Sequence, residues 1–371
     1  MGKDIKTKIV ISAVNFTSGG PLSVLLDCLK ALKGYRFVNQ FEITVLVHKR
    51  ILVTDFLDDF KVLEFPLIKS SWIKRLDFEY RKSKVLSETI NPKIWISLHD
   101  MTPNVTAEMQ YVYCHNPAPF YTVSAKEISL DFKFFLFNQF YKYLYSINIK
   151  KNRFVIVQQE WLRAQFEKNY NVNTIVAYPN LEEVSEVYQQ KEILKKDTFV
   201  FFFPSFPRVF KNFEVILEAA ALLEKYRHDF KVIITLDGKE NKYSKMLYSK
   251  YSKCSTIHFI GKLNRDEVFA NYNNADCLIF PSKLETWGLP ISEFKPFNKP
   301  ILLADLPYAH ETIGSYDKVS FFDPDDANSL SVLMDKLIDR TMSFGGNSIG
   351  TPEDPFFVNW DGLVSFLLEN K

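Results

Sequence analysis

The chain has 371 residues, of which 47% are hydrophobic and 24% charged, with a formal net charge of +2. These values argue against a disordered or fibrous chain, and at roughly 100–200 residues per domain they point to two globular domains. The N-terminal MGKDIKTKIVISAVNF lacks the apolar h-region of a signal peptide, and nowhere do roughly 18 apolar residues run without a charge, so any membrane contact is expected to be peripheral. Cys28, Cys114, Cys254 and Cys277 are widely separated and form no CxxC pair, which fits reduced thiols in a cytosolic protein. The 34 Phe and 18 Tyr suggest aromatic-rich cores and leave room for an aromatic surface facing lipid or sugar. Charge is uneven, +8 over residues 1–180 and −6 over 181–371, so the basic first half suits an anionic lipid surface or a phosphate-bearing substrate.

Lys8–Ala13 reads as a strand, Asn15–Gly20 as a glycine turn, and Pro21 opens a helical pattern. Strand-like runs follow at Phe41–Val47, Ile94–Leu98, Gln110–Cys114 and Phe154–Gln158, interleaved with helical patterns such as Arg75–Ile90. After Tyr178-Pro179-Asn180 the polar stretch LEEVSEVYQQKEILKKD reads as a connector, and a second alternating series begins at Thr198–Phe203. Its strands are expected at Lys231–Leu236, Thr256–Ile260, Cys277–Pro281, Pro300–Ala304 and Val319–Phe322, with helices near Asn212–Tyr226, Arg265–Asn273 and Pro290–Pro296. Such alternation predicts α/β architecture, two doubly wound parallel sheets in tandem. Residues 1–180 and 181–350 are the expected domains, and 351–371 holds a final helix, Phe356–Leu368, able to pack back on the first domain.

The segment LETWGLPISE, Leu284–Glu293, lies between the strand-like runs CLIFP and PILLA. Pro290 suits a first helical position, which puts Glu285 in the loop before the helix and Glu293 in or near its first turn. Unpaired amides at a helix start attract a diphosphate, Gly288 permits close approach, and carboxylates accept hydrogen bonds from sugar and ribose hydroxyls. Two acids at a helix start can equally serve only the dipole and the cap.

Glu285 through Glu293 resembles the E-x7-E signature of retaining glycosyltransferases of the GT-B type, particularly family four of sugar-nucleotide-dependent transferases. Gly19-Gly20, His115-Asn116-Pro117, Pro179-Asn180, Lys211-Asn212, Phe259-Ile-Gly261 and Ala275–Ser282 follow in the family's order. Several resemble bacterial O-antigen or capsule transferases. The resemblance implies a GT-B fold, two Rossmann-like domains facing a central cleft. It implies that Glu285 contacts the donor sugar, that Trp287-Gly288-Leu289 offer backbone amides, and that Glu293 holds the ribose. Lys211 and Arg208 would neutralise the departing diphosphate, although PSFPRVFKN departs from the family's usual spacing and leaves Arg208 the weaker assignment. Ile260, Gly261 and Lys262 would border the base, and Gly19 and Gly20 would present amides to a phosphate.

His115, after the strand QYVYC, resembles the family's donor-facing histidine, with His99 and Asp100 as second candidates at the same sheet edge. The segment Asp131–Arg153 mixes aromatics with lysines, as either a membrane-surface helix or a buried one would, and Trp72–Arg75 and Arg81–Lys84 extend the basic surface. Asp323-Pro-Asp325 satisfies D-x-D, but capping of the following helix is its simpler role, and no metal is expected.

The expected protein is a cytoplasmic hexosyltransferase, at most peripheral to the inner membrane. It would move sugar from a nucleotide-diphosphate donor to a lipid-linked glycan acceptor, with no cofactor beyond that donor and no nucleic-acid partner. A sugar-nucleotide epimerase or hydrolase, and a non-catalytic nucleotide-sugar-binding subunit, are the alternatives.

Overall fold

The computed structural model describes residues 6–180 and 198–369, so the connector expected at 181–197 lies outside the described residues. The chain divides into two units: residues 1–120, 138–180 and 352–371 form the first, and residues 121–137 and 181–351 the second.

The strands of the first unit are β1 (Thr7–Ala13), β2 (Phe41–Val47), β3 (Lys61–Glu64), β4 (Ile94–Ser97), β5 (Met109–Cys114), β6 (Phe154–Val157) and β7 (Thr174–Ala177). A late strand, Phe356–Phe357, joins them. All pair in parallel, and the order across the sheet is β3-β2-β1-β4-β5-β6-β7 followed by the late strand. Parallel strands covered on both faces read as unbroken apolar runs, and β1 shows why. Its alternate residues Ile9, Ile11 and Ala13 enter one core, while Val10 enters another with Trp95 and Phe78.

The final helix is Trp360–Glu369, shorter than expected because Phe356–Phe357 pairs with β7 instead of coiling. Leu363, Val364 and Leu367 join the core of Ile9 and Leu25, Trp360 stacks on Tyr113 with ring centroids 5.3 Å apart, and the Tyr35 hydroxyl donates to Glu369 Oε1 at 2.9 Å.

In the second unit the strands are β8 (Phe199–Phe203), β9 (Phe230–Ile234), β10 (Ile257–Phe259), β11 (Cys277–Phe280), β12 (Ile301–Ala304) and β13 (Val319–Phe322). They are parallel in the order β10-β9-β8-β11-β12-β13. Numbering the late strand Phe356–Phe357 as β14 completes the set. Both sheets reverse their strand order beside their first strand, between β1 and β4 and between β8 and β11. In such sheets ligands bind beyond the carboxyl ends of the strands at that reversal.

Candidate functional site

In the second unit, β8 leads into a loop that closes as a 3-10 turn, Val209–Lys211, and Asn212 adopts the left-handed conformation (φ 55°) before the helix Phe213–Leu223. The Asn212 side-chain amide donates to the Pro281 carbonyl at 3.3 Å and to the Pro324 carbonyl at 2.7 Å, and Lys283 N donates to Phe210 O at 2.7 Å. These bonds tie the end of β8 to the end of β11. The tie brings Lys211 Nζ onto Glu285 Oε1 as an ion pair of two largely buried side chains. Glu285 Oε2 has no partner among the described residues.

The helix after β11 runs Leu289–Phe294, with Gly288 at its N-cap in the left-handed region (φ 87°). A Cβ there would lie 3.1 Å from Ile291 Cδ1 and 3.4 Å from Phe280 Cε1, a tight fit, so the backbone angle is what requires glycine. Trp287 is buried; its indole nitrogen donates to Ser292 Oγ at 3.0 Å, and its carbonyl accepts from Thr312 Oγ1. It contributes packing and backbone groups. Glu293 stands fifth in the helix, just past its first turn and so near it, as expected. Its Oε2 accepts from the Tyr272 hydroxyl at 3.0 Å, and Arg265 Nη2 is 3.8 Å from Oε1. Burial and the nearby carboxylate raise the Tyr272 phenol well above its usual pKa.

Ile260, 40% exposed, Gly261 (φ 71°) and the exposed Lys262 form the loop that leaves β10, at the same edge of the sheet. Arg208 is half exposed and pairs with Asp131 Oδ2 at 3.3 Å, whereas Lys211 pairs with Glu285. Asp325 pairs with Lys283, and the cap of the helix Ala327–Ile338 is supplied not by Asp323 or Asp325 but by Asp326, which accepts from Asn328 N at 2.9 Å and Ser329 N at 3.1 Å. Asx geometry explains the shift, since a carboxylate reaches amides two and three residues on.

In the first unit, Gly19 (φ 65°) opens the helix Gly19–Gly34 after β1. A Cβ on either Gly19 or Gly20 would meet nothing within 4 Å, so only the backbone angle of Gly19 demands glycine. Asp100, itself left-handed (φ 69°), accepts through Oδ1 from His115 N at 2.7 Å, Asn116 N at 3.0 Å and the Tyr145 hydroxyl at 3.2 Å. His115 Nε2 lies 3.6 Å from Asp100 Oδ2, and the buried Nδ1 has no partner among the described residues.

His99 is fully buried. Its Nδ1 lies 2.7 Å from Arg75 Nη2, which can only donate, so Nδ1 is the acceptor and Nε2 carries the hydrogen, 2.9 Å from Ser12 Oγ. Burial and the Arg75 charge depress the imidazole well below its usual pKa, in keeping with a neutral ring. Arg75 Nε also lies 2.8 Å from Glu79 Oε1. Glu79 sits in a π-helical stretch, Phe78–Lys82, within the segment expected to be plain helix, and complete burial outweighs Arg75 to raise its carboxyl to about 7. Glu79 was not singled out from the sequence, and Asn212 was named only as part of the Lys211-Asn212 motif, without its tethering role. The i, i+4 spacing of Arg75 and Glu79 was the available signal.

Residues 183–343 match the family described as glycosyl transferases group 1. Among curated proteins the chain is similar to an O-antigen chain mannosyltransferase, RfbU, of Salmonella typhimurium strain LT2, 22% identical over 249 residues. That match covers 66% of this chain and 65% of the relative's own length. Among solved structures, the lipopolysaccharide outer core galactosyltransferase WaaB in its apo form superposes with a TM-score of 0.62 at 13% identity, covering 91% of each chain. Anabaena Alr3699/HepE in complex with UDP-glucose superposes with a TM-score of 0.59 at 14% identity, covering 90% of each. The fold is GT-B, two Rossmann-like units, as expected from the motifs.

Proposed function

We propose that this chain, a glycosyl transferase of group 1 by the match of residues 183–343, transfers a sugar from a nucleotide diphosphate to a glycan hydroxyl in bacterial surface-polysaccharide synthesis. The observation that carries the reading is the Lys211–Glu285 pair at the strand reversal of the second sheet, beside the helix start opened by Gly288. The relative's name and the UDP-glucose in the HepE structure support the product class and the donor class.

Departure of a diphosphate concentrates negative charge on its oxygens. A lysine and amides fixed in advance stabilise that charge without reorganising, which lowers the barrier selectively in the transition state. Glu285 accepts from donor-sugar hydroxyls through its unpartnered Oε2 and orients Lys211 through Oε1. Glu293 accepts from the ribose. The reaction proceeds with retention and without a metal: the sugar gains oxocarbenium character, the acceptor attacks from the leaving-group side, and a phosphate oxygen takes its proton.

Peripheral membrane contact is part of the proposal. On the helix Phe132–Ser146 and just beyond it, Phe132, Leu136, Phe140, Tyr143 and Ile147 are all exposed, and their spacing of 4, 4, 3 and 4 places them on one face. Phe134, Asn138, Tyr141 and Tyr145 occupy the buried face, so the helix is packed and still presents an apolar stripe. Exposed Trp72 and Ile73, with Lys74, Lys142 and Lys150, give the aromatic and cationic character of a helix lying in a lipid interface.

A panel of UDP-, GDP- and dTDP-sugars tests the reading. One donor class should raise the melting temperature, since a ligand that binds only the native state stabilises it, and a new glycosidic product should form only when acceptor is present. Donor turnover without acceptor would identify an epimerase or hydrolase, and donor affinity without any product a binding subunit.

A further inference from the structure

At the end of β1 the first unit holds a cavity of about 270 Å³, and its lining includes Asn15, Lys69, Trp72, Arg75 and Tyr141. Arg75 has only 7% of its side chain exposed. A guanidinium is buried at this cost only where its donors are satisfied, and here Nη2 alone is hydrogen-bonded, to His99, while Nε lies 2.8 Å from Glu79 Oε1 as an ion pair without hydrogen-bond geometry and Nη1 has no partner among the described residues. Glu79, with its carboxyl raised to about 7, offsets the Arg75 charge only in part at neutral pH. Lys69 adds a second, exposed cation and is tethered by a hydrogen bond to Thr17. Asn15 Oδ1 is buried with no partner and can only accept, so it calls for a donor. Trp72 and Tyr141 stand edge to face, 6.0 Å apart, on the same wall.

We propose that this cavity binds a glycosyl phosphate, with the phosphate on Arg75 and Lys69, a sugar hydroxyl donating to Asn15 Oδ1, and the sugar's apolar face against Trp72 and Tyr141. Glu79 and His99 are positioning residues. They fix the guanidinium fork so that little rotamer freedom is lost when an anion arrives. Resting on the transfer reading, the inference makes the acceptor a phosphate-bearing glycan; the binding itself requires no donor.

Calorimetry without donor tests it, using inorganic phosphate, a panel of hexose 1-phosphates with their parent hexoses, and phosphatidylcholine vesicles carrying a polyprenyl glucosyl phosphate. At least one hexose 1-phosphate, or the vesicle-borne form, should bind about tenfold or more tightly than its uncharged parent, since a charge-assisted bond is at stake. Binding of the soluble compounds identifies a soluble acceptor, and binding confined to the vesicles a lipid-linked one. Arg75→Gln and Lys69→Gln should each weaken binding about tenfold. Lys69→Gln changes an exposed side chain and leaves the fold intact, so it decides the matter if Arg75→Gln fails to fold. Equal affinity for charged and uncharged ligands, no binding at all, or unchanged affinity in Lys69→Gln overturns the inference. Phosphate-dependent binding by a protein that transfers no sugar would sink the transfer reading alone.

Discussion

Lys211 and Glu285 stand 74 residues apart in the chain, yet their side chains form an ion pair across the point where the second sheet reverses its strand order. Neither residue sits on a strand. Each is set by a loop whose course Asn212 fixes through two carbonyls.

Lys211→Ala and Glu285→Ala should each lower kcat/KM by about a hundredfold or more, the range seen when a charge-stabilising group is lost. The melting temperature should fall as well, because the charge left behind is largely buried and loses its partner, so turnover is compared well below the variant's melting point. Steady-state kinetics beside a melting curve make the check, and near-normal turnover in either variant would remove the assignment.

Asn212→Ala would leave two carbonyls without their donor and release the left-handed turn before the helix. A cost of about 1–3 kcal/mol is expected, together with a rise in donor KM as Lys211 loses its placement. Asn212→Asp, which keeps the shape but not the donating amide, should show the same KM effect.

Gly288→Ala should destabilise the second unit by about 1–3 kcal/mol, chiefly because the backbone is left-handed, with a tight contact to Ile291 Cδ1 adding to the strain. Donor-induced thermal stabilisation should shrink in the same variant. Gly20→Ala provides the contrast: with open space and no positive φ, it should be close to neutral.

Glu79 gives a pH signature. Its folded pKa is raised to about 7, so between roughly pH 4.5 and 7 the folded state holds a proton that the unfolded state has released. The contribution is present in full below the unfolded value and is lost as pH rises through the folded one, a fall of at most roughly 3 kcal/mol. Denaturant midpoints measured from pH 4.5 to 8 should fall less steeply in Glu79→Gln than in the parent.

Phe140→Asp with Tyr143→Asp alters two exposed positions on the apolar stripe. Co-sedimentation with anionic vesicles should weaken about tenfold or more, while stability in solution falls modestly, since Phe140 gives up its edge-to-face contact with Trp72 at 5.3 Å. Equal sedimentation of parent and variant would dismiss membrane contact through this face.

Much of the fold was legible because parallel, doubly covered strands are apolar at most positions. Phe41–Val47 and Val319–Phe322 have the bounds that their residues suggest. Lys61–Glu64 was not legible, since an edge strand of four residues with a charge at each end carries no period. Phe356–Phe357 was also missed, because two aromatics next to a helical pattern look like its first turn. At the site, Glu285 and Lys211 could be named from motif residues, but their pairing depends on a sheet reversal that only the assembled order of strands reveals. The clustering of Arg75, Glu79 and His99 stayed hidden for a similar reason, although His99 was itself a candidate: a buried polar cluster leaves no apolar pattern, and His99 comes from a separate loop.

The pairing of Phe356–Phe357 with β7, and of Trp360 with Tyr113, has a consequence for biosynthesis. As the ribosome releases the chain, every strand of the second sheet has emerged before residue 323, so that unit can close first. The earlier-made unit must wait, one edge and a patch of core uncovered, for residues 352–369. A stop codon near position 350 would therefore spare the half made last and cripple the half made first.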